Sequence, residues 1–230
     1  MNIFHTHKQQ FSTDFIYTDR EGKGRYVWEK YKTALCVDDI LDVGADKGVL
    51  AKHLPHNVRY HTIGFGASID QEYNLENCPY PFEDMSFDVV LCLDVLEHLE
   101  HIHAAFDECC RIAKKTVIIS LPNPYADFMQ FLRSGKYRGR KKDMKFYGLQ
   151  PEPEEDRHRW FFSPTDAQEF INYRSRRMGF SVVQFDSEYC EIPRPAKNSD
   201  NAFRRIFRDD LDFFDLECGT LWWILNRNDS

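Results

Sequence analysis

Short apolar runs separated by glycine, proline and acidic turns recur along the chain, interleaved with stretches whose apolar residues fall at three- and four-residue spacing. Ile40, Leu41 and Val43 form the first run, and VRYHTIGF (Val58–Phe65) has the length and β-branched content of a second strand. Phe87–Cys92 reads as a buried apolar strand, and Thr116–Pro122 as another, stopped by its proline. FSVVQF and GTLWWILN close the series. Between them, residues 21–36 place Tyr26, Val27, Tyr31, Ala34 and Leu35 on one helical face. Residues 95–113 and Asp166–Met178 predict two further helices, the latter stopped by Gly179.

The stretch ILDVGADKGVL, Ile40–Leu50, predicts a strand, a glycine turn and a helix start. Gly44 and Gly48 stand where the backbone turns tightly and a ligand approaches closely. A pyrophosphate cradle of the G-x-G-x-x-G type gains nothing from acids beside the phosphates, whereas D-x-G-x-D-x-G, with Asp42 and Asp46, suits a ligand carrying positive charge. Read alone, the same residues also serve a plain βα turn.

Together with PFEDMSFDVV (Pro81–Val90), this loop resembles the class I S-adenosylmethionine-dependent methyltransferases, strongly over residues 36–122 and loosely elsewhere. The resemblance implies an α/β fold built on a doubly wound, mostly parallel seven-stranded sheet with helices on both faces, its last two strands an antiparallel pair at the edge. It implies S-adenosylmethionine as cofactor, held by Asp42, Gly44, Asp46, Gly48, Asn74, Leu75, Glu76, Leu93 and Asp94. Asn74 and Leu75 would flank the adenine, with the Asn74 carbonyl oxygen accepting from the exocyclic amine, while Leu93 and Asp94 border the transferred methyl. Two positions depart from the family pattern. Asp46 replaces a glycine, and Phe65–Gly66 stand where an acid usually binds the ribose, leaving either Asp70 or backbone and water for that contact.

One domain over residues 1–230 is expected, with a helical cap (1–36), a cofactor core (37–122), a substrate insertion (123–163) and a closing helix and strands (164–230). His98 and His158 are the candidate catalytic residues beside Asp94; His98 matches a family position that more often orders its loop than takes a proton. The Asn123-Pro124-Tyr125 sequence reads as a strand-exit turn. Glu97, His98, His101 and His103 lack a defined fourth ligand, and alternating charge on a helix is usually a solvated face, so no metal is expected.

The insertion carries RSGKYRGRKKDMK, seven basic residues against one acid, followed by the acidic PEPEED and the aromatic RWFF. Either it is a lid that attracts an anionic substrate, with Tyr147, His158, Arg159 and Trp160 lining the closed pocket, or its charged blocks pair with one another and merely solubilise a loop. A net charge of −7 argues against a surface built for nucleic acid. Seven scattered cysteines without a CxxC pair fit a reducing cytoplasm, and no apolar run is long enough to span a membrane. The run FRRIFRDDLDFFDLE (203–217) suggests an amphipathic cover or a homodimer contact.

The expected activity is therefore S-adenosylmethionine-dependent O- or N-methylation of a small-molecule or glycan-type acceptor, possibly anionic. An RNA methyltransferase and a catalytically degenerate binding module are the alternatives.

Overall fold

The computed structural model describes residues 17, 19–137, 140–141, 146–149, 151–153, 156–189, 215–216 and 218–229. Of the run 203–217, on which an amphipathic cover or a dimer contact was expected, residues 203–214 and 217 lie outside the described residues, as do parts of the basic and acidic blocks of the insertion.

Seven strands form one sheet: β1 (Asp39–Val43), β2 (Arg59–Gly64), β3 (Gln71–Glu72), β4 (Phe87–Leu93), β5 (Ala113–Leu121), β8 (Phe180–Tyr189) and β9 (Cys218–Arg227). Their order is β3-β2-β1-β4-β5-β9-β8. β1 to β5 pair in parallel, β9 runs antiparallel to β5, and β8 runs antiparallel to β9. The strand order reverses between β1 and β4, and in such sheets the ligand crevice opens outside the carboxyl ends at that point. A separate hairpin pairs β6 (Lys136–Tyr137) with β7 (Arg140–Lys141).

β4 is apolar but for Asp88, and β1 is apolar between and beyond its two acids, because both faces of the sheet are covered. Side-chain alternation divides the core accordingly. Ile40, Val89, Leu91, Ile118 and Trp222 pack with Tyr26, Val27, Tyr31 and Leu35 of α1 (Arg20–Leu35) on one face. Leu41, Val43, Val90, Cys92, Ile119 and Trp223 pack on the other with Phe106 and Cys109 of α2 (Ile102–Ile112) and Ile171 of α4 (Pro164–Arg177). The start of α4 follows from its sequence: Ser163 and Asp166 form a reciprocal capping box and Pro164 occupies the first turn.

Three predicted elements differ. The helix expected after Gly48 is a short 3-10 turn, Val49–His53, because Leu54 before Pro55 is extended and ends it. The helix expected over 95–113 is split into a 3-10 turn, Leu96–His98, and α2. There the Glu97 carbonyl accepts the Arg159 amide at 2.7 Å, and the Glu100 and His101 amides donate to the Glu76 carboxylate, so the helical ladder cannot run through. Third, the Asn123-Pro124-Tyr125 segment begins a helix, α3 (Pro124–Ser134), with Asn123 Oδ1 accepting the Tyr125 amide and Gly135 in the left-handed conformation at its end. Among the described residues no helix is long and apolar enough to cross a membrane.

Candidate active site

A cavity of about 1000 Å³ opens where the carboxyl ends of β1, β2 and β4 converge beneath α1. Its floor is the turn after β1. The Gly44 amide donates to the Ile63 carbonyl at 2.7 Å, which seats this turn against β2. Gly44 has φ +76, and a Cβ there would stand 2.4 Å from Val95 Cγ2, so the position excludes side chains on two grounds. A Cβ on Gly66 would stand 2.3 Å from the Asp46 carbonyl oxygen, which shows how closely the two loops approach. Asp46 itself adopts φ +51, a conformation that aspartate tolerates better than most residues. Gly48 (φ +57) shapes the turn without lining the cavity.

Asp42 is buried at this end and accepts a hydrogen bond from the Tyr60 hydroxyl. Burial pushes its carboxyl up to about 6, against the opposing pull of Tyr60 and the Lys23 charge. Arg20 of α1 pairs with Asp46, and Lys23 Nζ lies 2.5 Å from Asp94 Oδ2. Arg20, Lys23, Gly24 and Val27 of α1 line the cavity.

Asn74 and Leu75 line the next part of the wall. Asn74 Oδ1 already accepts the Glu76 amide at 3.0 Å, so one lone pair of the oxygen expected to meet adenine is engaged locally. Glu76 does not line the cavity, contrary to expectation. Its carboxylate accepts the Glu100 and His101 amides at 2.6 and 3.0 Å; burial opposes ionisation, but these bonds outweigh it and hold Glu76 below the usual carboxylate range. Asp70 is likewise committed elsewhere, accepting the Thr62 amide and hydroxyl at 2.9 Å each, and is not part of the lining. Phe65, 60% exposed, and Gly66 occupy the wall there.

At the opposite end Leu93, Asp94 and Val95 leave β4, and the cavity continues over Glu97, His98, Phe146, Asp156, Arg157 and His158. Both candidate histidines therefore belong to one chamber. The ring of His158 is stacked on Phe146 at 4.1 Å, and its Nδ1 is 2.9 Å from the Tyr147 hydroxyl. His98 Nδ1 lies 3.1 Å from Asp156 Oδ1. Tyr147 thus acts on His158 from behind, while Arg159 and Trp160, expected in the lining, are outside it; the Trp160 indole donates to the Leu99 carbonyl at 2.7 Å. His101 sits on Glu76 and His103 against Trp160 and Phe170, away from the chamber. Glu97 is buried within it instead of facing solvent as its charged surroundings suggested. Sequence reasoning also missed Phe146, Asp156 and Arg157, for which no local motif signals a role.

A family model described as a methyltransferase domain matches residues 17–184. No curated protein matches the sequence. Among solved structures, an S-adenosylmethionine-dependent methyltransferase from Archaeoglobus fulgidus is similar, with 15% identity and a TM-score of 0.59 over 91% of this chain and 95% of that one. The 4+2 cyclase SpnF is similar with 11% identity and a TM-score of 0.56, over 96% of this chain and 86% of that one. Magnesium protoporphyrin IX methyltransferase from Synechocystis, solved with bound S-adenosylhomocysteine, has 13% identity and a TM-score of 0.50, over 90% and 83%. At such identities these likenesses establish the seven-stranded, doubly wound fold, and the cyclase among them shows that this fold serves more than one chemistry.

Proposed function

We propose a site and an acceptor class for this chain, which belongs to the methyltransferase-domain family and uses S-adenosylmethionine: it methylates a small-molecule or glycan-type acceptor of anionic character beside His98 and His158. One observation carries the reading. A single cavity runs from the Asp42-Gly44-Asp46 turn to the His98–His158 chamber, so donor and acceptor ends share one space.

The residues present fit the cofactor. Gly44 and Gly66 leave backbone room that a Cβ would fill, and Asp42 is a buried acid suited to a cationic group. Asp42, Gly44, Asp46, Asn74, Leu75, Leu93 and Asp94 would hold it, with the ribose met by backbone and water at Phe65–Gly66. When bound, S-adenosylmethionine supplies a methyl carbon already activated by the sulfonium. The chain's own task is then to align the acceptor atom and to manage its proton. His98 and His158 hold that atom at the chamber end, Asp94 borders the methyl, and the Arg157 guanidinium favours an acceptor with negative charge.

Calorimetric titration of the purified chain with S-adenosylmethionine and S-adenosylhomocysteine tests this. Micromolar binding of both is expected, and its loss in Asp42→Ala. Absence of binding by the wild-type chain overturns the reading in favour of a binding module.

A further inference from the structure

Far apart in the sequence, His98 and His158 meet edge to face with ring centroids 4.6 Å apart. Their Nε2 atoms approach the same carboxylate oxygen: Glu97 Oε1 is 3.8 Å from His98 Nε2 and 4.0 Å from His158 Nε2. One such ligand atom from each of the three residues lies within 4.8 Å of the others. The side chains of Glu97 and His158 are 1% and 3% exposed, and that of His98 is 28% exposed, so the trio is sunk in the chamber wall and open toward the cavity on the His98 side.

These separations are too long for hydrogen bonds between the paired groups. They are close to the spacing of ligands around a shared cation: bonds of about 2.1 Å place tetrahedral ligands ~3.4 Å apart. The surroundings orient the rings for that purpose. The Asp156 carboxylate and the Arg157 carbonyl face His98 Nδ1 at 3.1 and 3.2 Å, and the Tyr147 oxygen faces His158 Nδ1 at 2.9 Å. The carboxylate and the carbonyl only accept, so on His98 they select the tautomer that presents an Nε2 lone pair, as is usual behind metal-bound histidines, and the Tyr147 hydroxyl is able to accept from His158 in the same way. The Arg159 amide, bonded to the Glu97 carbonyl at 2.7 Å, fastens the segment carrying His158 to the turn carrying Glu97 and His98.

We propose that Glu97 Oε1, His98 Nε2 and His158 Nε2 bind a divalent first-row transition-metal ion whose open positions face the cavity and take oxygen atoms of the acceptor. Three protein ligands with further positions open is the pattern of a catalytic site rather than a closed structural one. Two imidazoles with one carboxylate select manganese, iron, cobalt or zinc over magnesium and calcium. Asp94 is engaged with Lys23 and Ser120, at 2.5 and 2.6 Å. A hydroxyl ligated here is acidified, its proton passing to water and a lone pair remaining on oxygen. This narrows the acceptor to one that chelates through a hydroxyl and a neighbouring oxygen. That narrowing rests on the methyl-transfer reading above, whereas ligation itself does not.

The test is calorimetric titration of the chelator-treated full chain with Mn2+, Co2+ and Zn2+, without S-adenosylmethionine. One equivalent is expected to bind, and Glu97→Gln, His158→Asn and the more exposed His98→Asn are each expected to weaken it at least tenfold, while His103→Ala leaves it unchanged. S-adenosylhomocysteine titrated into the same variants reports whether each still folds and binds at the donor end. Wild-type protein that binds none of the three ions overturns the proposal, as does equal metal affinity in the Glu97 and His158 variants. Metal binding without S-adenosylhomocysteine binding would instead support the ion site and sink the cofactor reading.

Discussion

Lys23 Nζ lies 2.5 Å from Asp94 Oδ2, while Asp94 Oδ1 accepts the Ser120 hydroxyl at 2.6 Å. One carboxylate therefore joins α1, the end of β4 and β5 across the cavity mouth. Asp94 adopts φ +55, which costs an L residue roughly 1–2 kcal/mol, and these bonds hold it there. Lys23→Met removes the tie. A partly exposed pair stabilises by about 1 kcal/mol, so S-adenosylhomocysteine is expected to dissociate about fivefold faster in stopped-flow measurements at low salt. The difference should shrink at high salt, where the wild-type pair is itself screened. An unchanged dissociation rate would show that α1 does not hold the ligand in.

Asp42 makes the site sensitive to pH. Its carboxyl is pushed up to about 6 by burial, from a value of about 3.9 in an unfolded chain. The folded state therefore binds more protons than the unfolded state between about pH 4 and 6, and the ligand-free protein loses stability as pH rises through that window. Asp42→Asn removes the titrating group and keeps an acceptor for Tyr60. It should melt above the wild type at pH 8, by up to roughly 3 kcal/mol, and converge with it near pH 4. Ligand affinity should move oppositely. A cationic ligand needs the ionised acid, so wild-type binding weakens below about pH 6, approaching tenfold per pH unit. A variant no more stable than wild type at pH 8 would contradict this.

Gly66 tests the approach of the two loops without confusion from backbone strain, because its φ lies outside the left-handed region and a Cβ would still meet the Asp46 carbonyl oxygen at 2.3 Å. Backbone cannot give way as a flexible side chain does. Gly66→Ala should cost about 1–3 kcal/mol in denaturant unfolding and weaken S-adenosylhomocysteine at least tenfold. Gly135→Ala is the contrasting control: nothing lies within 4 Å of its Cβ, but its φ of +62 isolates the conformational penalty. Equal effects of the two on ligand binding would sink the close-approach argument.

What was legible in the sequence divides by the range of the forces involved. β1, β4 and β5 could be read because strands covered on both faces carry runs of apolar residues, and the turn at Gly44 because its geometry excludes side chains. Residues placed by long-range partners could not. Glu76 looked available for the cofactor until the Glu100 and His101 amides, brought to it by folding, claimed its carboxylate. The same bonds broke a helix that periodicity extended from 95 to 113. Glu97 sat in a charged stretch that reads as solvated, yet His158 and Arg159, arriving from beyond α3, cover it. His158 was singled out from its own segment, which gave no sign that folding brings it beside His98 and Glu97.

Arg111 connects the segment PFEDMSFDVV to the cavity. Its guanidinium bonds both Glu108 oxygens at 2.7 and 2.9 Å, Asp84 at 2.7 Å, and the Tyr80 and Phe82 carbonyls at 3.1 and 2.9 Å. Glu108 accepts the Tyr80 amide at 2.6 Å in turn, and the Tyr80 hydroxyl donates to the carbonyl of Leu75, a cavity residue. A fork with five donors can serve this set, whereas a lysine ammonium cannot reach both sides. Arg111→Ala should therefore cost about 3 kcal/mol or more, since it strands the buried Glu108 carboxylate, and Arg111→Lys should recover less than half of that. Asp84→Ala, at a side chain 72% exposed, should change stability by less than about 0.5 kcal/mol. Because Leu75 hangs on Tyr80, both Arg111 variants should also weaken S-adenosylhomocysteine several-fold while Asp84→Ala leaves it alone. Full stability in Arg111→Lys would mean that charge alone, and not the guanidinium's shape, secures this wall of the site.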